Sequence, residues 1–161
     1  MSRTDNHVHV TPSVLDRLID YEPGLSREAP ASWHKSLREL KQSVKRDLEW
    51  LLNTRQEITQ VAPEMKELQN SLATYGLKEF STANVKSPRD QNRLRQAIET
   101  AVTTFEPRLE HVRVTLLPPR DMERVLCFRI DARLKVEPAP EPITFDTVLQ
   151  LATSQYQVRE V

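Results

Sequence analysis

Phe105-Glu106-Pro107-Arg108-Leu109 is the stretch on which the fold turns, because a helical repeat runs into it and a strand repeat leaves it. Upstream, Leu94, Ile98, Val102 and Phe105 recur at steps of three and four, the spacing of one helix face. Downstream, Val112, Val114 and Leu116 alternate with Arg113 and Thr115, the period of a strand. Proline fixes its own φ and pushes the residue before it out of the helical region, so Glu106 is expected to end the helix. In an extended segment, residues two apart point the same way, which places Glu106 and Arg108 as an opposite-charge pair on one side of the corner. Such a pair is either an internal brace or a docking point.

Working outward toward the N-terminus, Ser87-Pro88-Arg89-Asp90 reads as the start of the helix that ends at the corner. Ser87 is placed to cap, Pro88 takes the first position and Asp90 sits at the positive end of the dipole. A long helix is expected over 32–53, with Leu37, Leu40, Val44, Leu48, Leu51 and Leu52 as its core stripe. Trp33 and Trp50 are expected in the core or at its edge. A short helix opens at Thr11-Pro12, with Val14, Leu15, Leu18 and Ile19 on one face and Asp16 and Arg17 opposite. Residues 22–31 read as a linker. Pro63 is expected to start a helix running through Leu68 and Leu72 to a left-handed cap at Gly76, followed by a loop over 77–86.

Toward the C-terminus, Pro118-Pro119-Arg120-Asp121 makes a turn. Leu126, Phe128, Ile130, Ala132, Leu134 and Val136 then alternate with Cys127, Arg129, Asp131, Arg133 and Lys135, giving a strand with one apolar and one charged face. A proline-rich connection over 137–142 leads to a strand pair, 143–151 and 155–160, joined through Ala152-Thr153-Ser154. Helices first and strands after predict an α+β fold, with N-terminal helices packed on one face of a mainly antiparallel C-terminal sheet. The expected organisation is a flexible tail over 1–12 and a single domain over 13–161.

Composition limits the chemistry. Lys and Arg number 23 and Asp and Glu 23, so the overall charge is zero and a general nucleic-acid binder is disfavoured. One cysteine, Cys127, forbids an internal disulfide and suits a reducing compartment. The N-terminal residues lack the apolar core of a signal peptide, and no apolar run reaches membrane-spanning length, so a cytoplasmic chain without direct membrane insertion is expected. Only two glycines, Gly24 and Gly76, leave no glycine-rich phosphate loop, and no cofactor is expected.

Candidate catalytic groups are weak. Glycan hydrolysis needs two carboxylates flanking one bond. Glu106 with Glu110, or Asp16 with Asp20, supply such pairs, but among 23 acidic residues they read better as solvated surface acids. His7 and His9 make a poor metal set without further ligands. Cys127 beside His34 or His111 would form a nucleophile pair, but a mid-strand cysteine reads as packing. No serine stands in a nucleophile-elbow sequence. No catalytic residue is assigned and the chain is not expected to be an enzyme. The face carrying Arg129, Asp131, Arg133 and Lys135 is either simply solvated or pairs with a partner's charges.

Five segments resemble one family. Ser13-Val14-Leu15-Asp16-Arg17-Leu18, the run from Ser43 to Arg55, Tyr75-Gly76-Leu77 with Phe80-Ser81, Phe105-Glu106-Pro107-Arg108-Leu109 and Phe145-Asp146-Thr147 follow in order the pattern of TssE, the type VI secretion baseplate subunit family. The Glu-Pro-Arg motif is similar to that of contractile-phage baseplate wedge proteins. The final hairpin departs from the pattern in lacking a turn glycine. The resemblance implies a structural subunit with no metal or cofactor, set on the cytoplasmic side of the inner membrane. Implied partners are the wedge proteins TssF, TssG and TssK and the sheath proteins TssB and TssC, the sheath attaching by strand addition to a sheet edge. It implies Glu106, Pro107 and Arg108 as the sheath-docking or structural motif, and Arg46, Asp47, Asn53, Arg55 and Gly76 as further motif residues. A phage-tail wedge protein and an anti-adaptor-like protein-binding module are the competing readings.

Overall fold

The computed structural model describes residues 13–19, 24, 33–58, 60–79, 87–118, 125–151 and 153–161. The expectations for residues 1–12, Asp20, most of the 22–31 linker, Phe80-Ser81, Pro119-Arg120-Asp121 and Ala152 lie outside them. Among the described residues four α-helices precede four strands: α1 (Val14–Leu18), α2 (Trp33–Asn53), α3 (Lys66–Gln69), α4 (Pro88–Phe105), β1 (Leu109–Leu116), β2 (Val125–Leu134), β3 (Glu141–Gln150) and β4 (Gln155–Glu160). The strands form one antiparallel meander in the order β1-β2-β3-β4, and the long helices pack on one of its faces, α4 against β1 and α2 against β4. This is the α+β arrangement expected from the order of the repeats.

The core is the meeting of the two periodicities. Leu40, Val44, Leu48, Leu51 and Leu52 of α2 and Leu94, Ile98 and Val102 of α4 are buried, with Leu37 and Phe105 at the margin. They meet Leu126, Phe128, Ile130, Ala132 and Leu134 of β2 and Ile143, Phe145 and Leu149 of β3. In-register pairs such as Ile130 with Phe145 and Ala132 with Ile143 put the apolar positions of adjacent strands side by side. Each fully buried aliphatic chain contributes about 1.5–3 kcal/mol by removal from water, so this layer dominates stability.

Several local expectations are corrected. The α1 cap is Ser13, not Thr11: its hydroxyl accepts the Asp16 N–H while the Asp16 carboxylate accepts the Ser13 N–H. The α1 stripe does not enter the core, since Val14 and Leu18 are both 76% exposed, and Asp16 is the residue turned inward. Trp50 is 53% exposed. The helix expected from Pro63 shrinks to the four residues of α3 and a 3-10 turn at Leu72–Thr74, and Leu72 lies outside the core. Ser87 holds the N-cap position of α4, but its side chain makes no capping hydrogen bond. β3 starts at Glu141, inside the expected connection, and Pro142 lies within it.

Gly76 has φ +103° and a cause for it. A Cβ there would lie 2.3 Å from the Thr54 carbonyl oxygen. Its absence lets Leu77 reach the end of α2, donating to Thr54 O at 2.8 Å and accepting from Gln56 N at 2.9 Å. The conformation was expected, but it serves this close approach and not the end of a long helix. At the final hairpin the left-handed position is filled by Ser154, φ 55°, where glycine was expected.

Each sheet edge carries a helix side chain. On β1 the Val114 N–H donates to Glu99 Oε2 of α4 at 3.1 Å, and a bulge between Glu110 and Arg113, with His111 at φ 52°, interrupts the register. On β4 the Asn53 side-chain amide imitates a neighbouring strand. Its Oδ1 accepts the Tyr156 N–H at 2.8 Å and its Nδ2 donates to Tyr156 O at 2.9 Å.

Candidate functional site: the Glu106-Pro107-Arg108 corner

α4 ends at Phe105 with Glu106 as its C-cap, as the proline predicts. Glu106 N still donates to Val102 O, and Leu109 N turns back to Glu106 O at 3.1 Å, so the chain reverses from helix to strand within three residues. Lys135 at the end of β2 closes the corner from outside: its N–H donates to Arg108 O and its Nζ to Pro107 O, both at 2.8 Å.

Inside the corner, Arg108 is the hub. Its Nε donates to Glu106 Oε1 at 2.7 Å and its Nη2 to Glu106 Oε2 at 2.5 Å, a two-pronged grip. The same Nη2 reaches Asp47 Oδ2 at 2.6 Å, and Nη1 donates to Ser43 Oγ at 2.8 Å. The Ser43 hydroxyl in turn donates to Asp16 Oδ2 at 2.7 Å. Arg46 completes the network, with Nη2 on Asp16 Oδ1 and Nε on Asp47 Oδ1, each at 2.9 Å, and its guanidinium 5.3 Å from the Trp50 ring centre. One cluster therefore joins α1 through Asp16, α2 through Ser43, Arg46 and Asp47, and the α4–β1 corner through Glu106 and Arg108.

Burial sets the electrostatics. The Glu106 side chain is 5% exposed and that of Arg108 19%. Burial acts to lower the Arg108 pKa, but pairing with Glu106 and Asp47 outweighs it and raises it. Burial also works against the Asp16 charge, yet hydrogen bonds from Ser13, Ser43 and Arg46 bring its carboxyl down to about 2. Tyr75, packed edge-on against Phe105, is shifted up by its own burial and then by the charges of Asp47 and Glu106.

The expected pair thus exists and is internal, and two of the motif residues, Arg46 and Asp47, join it. The others lie elsewhere: Asn53 on the β4 edge, Gly76 against Thr54, and Arg55 in an exposed ion pair with Glu79 beside the Arg55–Leu77 bridge. Asp16 and Ser43 were not expected here. A signal for Ser43 existed, since it shares a helical stripe with Asp47 and Trp50 beside the apolar one.

Asp16 and Glu106 are not placed as a proton-donating pair. Asp16, held near 2, has no proton to give at neutral pH, and both Glu106 oxygens are engaged by Arg108. Cys127 is buried in β2, and His111 sits in the β1 bulge, five residues away along β2 and on the order of 15 Å distant. The side chain of His34 and both His7 and His9 lie outside the described residues.

A family model described as baseplate wedge protein gp25 matches residues 38–139, from α2 through the corner and β2. The chain belongs to the gp25 baseplate wedge family. That family is one of baseplate wedge proteins, which supports a structural baseplate role for the chain. α1 and Asp16 lie outside the matched residues. A solved structure described as the baseplate complex from the type VI secretion system is similar at 20% identity and a TM-score of 0.49, covering 77% of this chain and 95% of that one. No curated protein matches the chain. Among the described residues no helix is long and apolar enough to cross a membrane.

Proposed function

We propose that this chain is the TssE-type subunit of a type VI secretion baseplate, linking the wedge to the contractile sheath and starting sheath polymerisation. The observation that carries the reading is the Arg108 cluster in a gp25-family chain: one guanidinium fastens the helix-to-strand corner to α2, which supports a connector role for the joined helical layer and sheet. The partners are TssF, TssG and TssK in the wedge and TssB and TssC in the sheath, at the cytoplasmic side of the inner membrane. Glu106, Pro107 and Arg108 hold the docking sheet in shape. A sheath strand would add at the part of an edge left open by Asn53 on β4 or Glu99 on β1, and these side chains would limit its register. Repeated around the baseplate, weak single contacts add through multivalency.

The test is affinity capture of the tagged chain from cells, with sheath imaging in cells lacking it. Capture of TssF, TssG and TssK, with no extended sheath in the deletion strain, supports the reading. Normal sheaths in the deletion strain would overturn it. Capture of phage-tail wedge proteins instead would favour the phage reading, which the gp25 family description also fits. Capture of a regulatory protein alone would favour the anti-adaptor reading.

A further inference from the structure

The sheet face turned away from the helices carries charges that the corner does not use. Its outward positions include Arg113 on β1, Arg129, Asp131 and Arg133 on β2, Asp146 on β3 and Arg159 on β4. In register, Arg113 lies opposite Asp131, Arg133 opposite Glu110, and Arg159 opposite Asp146. Asp131 and Asp146 are engaged by other groups. Asp146 is held by Arg129, Nε to Oδ1 at 2.9 Å and Nη2 to Oδ2 at 3.3 Å, and Asp131 Oδ1 accepts the Thr144 hydroxyl at 2.9 Å. Arg113, Arg133 and Arg159 are exposed and make no ion pair among the described residues. With Arg129 the paired positions of the face hold four cations, against Glu110, Asp131 and Asp146, an excess of one positive charge in a chain whose total is zero.

We propose that this face docks an acidic protein segment, gripped by the guanidinium groups of Arg113, Arg133 and Arg159. Strands are about 4.8 Å apart and residues on one face about 7 Å apart along a strand, so the three arginines span a patch on the order of 14 Å wide. That suits a row of carboxylates on one strand or helix face, and each guanidinium can take a carboxylate with two hydrogen bonds. Nucleic acid fits the patch poorly. The outward positions of the four strands carry no Phe, Tyr or Trp on which a base could stack, and Asp131 and Asp146 would repel phosphate. The proposal does not depend on which machine holds the chain.

The test is fluorescence anisotropy of a labelled oligoglutamate peptide, with a single-stranded oligothymidine as the competing probe, at low and physiological salt. The peptide is expected to bind with an affinity that falls as salt rises. Combined Arg113→Gln, Arg133→Gln and Arg159→Gln should weaken binding about tenfold or more. A control with the same change in charge on the helices, Arg38→Gln, Arg89→Gln and Arg93→Gln, should stay within about twofold, because those residues are exposed elsewhere. Equal losses in the two triple variants, no peptide binding by wild type, or oligothymidine binding as tightly as the peptide would each overturn the proposal. Thermal melts of both variants confirm that they are compared as folded chains.

Discussion

Replacing Arg108 by methionine removes the guanidinium and keeps most of the apolar stem. Glu106 then keeps a single donor, the Arg108 backbone N–H at 3.1 Å, around a carboxylate only 5% exposed. Removing one partner of a buried pair costs about 3–5 kcal/mol, largely because the other charge is stranded. Asp47, 23% exposed, recovers some hydration, which sets the expectation at about 3 kcal/mol, at the lower end of that range. Against a typical total of about 5–15 kcal/mol, the variant folds but is visibly weakened. With a urea slope of about 1–3 kcal/mol per molar, the midpoint should fall by at least ~1 M. Adding Glu106→Gln removes the stranded charge, so the double variant should regain about 1–2 kcal/mol over Arg108→Met alone. Urea titrations followed by circular dichroism and tryptophan fluorescence measure both. An Arg108→Met midpoint at the wild-type value, or a double variant that merely sums the single losses, would refute a buried brace centred on this residue.

Three further outcomes are expected. Asp16 has its carboxyl lowered from 3.8 to about 2, so its contribution is complete above about pH 4 and disappears as pH falls toward 2; Asp16→Ala should cost about 1–2 kcal/mol at neutral pH after discounting for solvent screening and flatten the stability curve in that window, and an unchanged acid limb would contradict it. Gly76→Ala must push a Cβ against the Thr54 carbonyl at positive φ, so thermal melting should show a loss of at least about 2 kcal/mol, and a neutral result would mean the approach to α2 is not needed. Asn53→Ala strands the Tyr156 N–H, and hydrogen exchange at that amide should accelerate with a stability loss of about 1–3 kcal/mol; unchanged exchange would show that Asn53 is not holding the edge.

The corner, α4 and β2 were legible because each combines a clean period with a punctuating residue. Leu94 to Phe105 steps by three and four into Pro107, and Leu126 to Leu134 alternates without a break. The region from Pro63 to Thr74 was misread because Leu68 and Leu72 are four apart, a helical spacing, although Leu72 does not enter the core. Trp50 and the α1 stripe were misread for a related reason: apolar character says what a residue prefers, not whether the domain has room beneath it. The Glu106–Arg108 pair could be anticipated from proline geometry, but its partners could not. Ser43 and Asp47 lie more than 60 residues before Arg108, and Asp16 earlier still, so only packing of the helices on the sheet brings them together.

Asn53 and Glu99 carry a consequence for the life of the free chain. A free subunit with two bare sheet borders would offer unpaired backbone groups to the strands of its own copies. The amide on Tyr156 and the carboxylate on Val114 act as chaperones written into the helices, satisfying from within the groups that a stray strand would seize. Removing both should therefore favour self-association of the chain, even where each change alone leaves the fold standing.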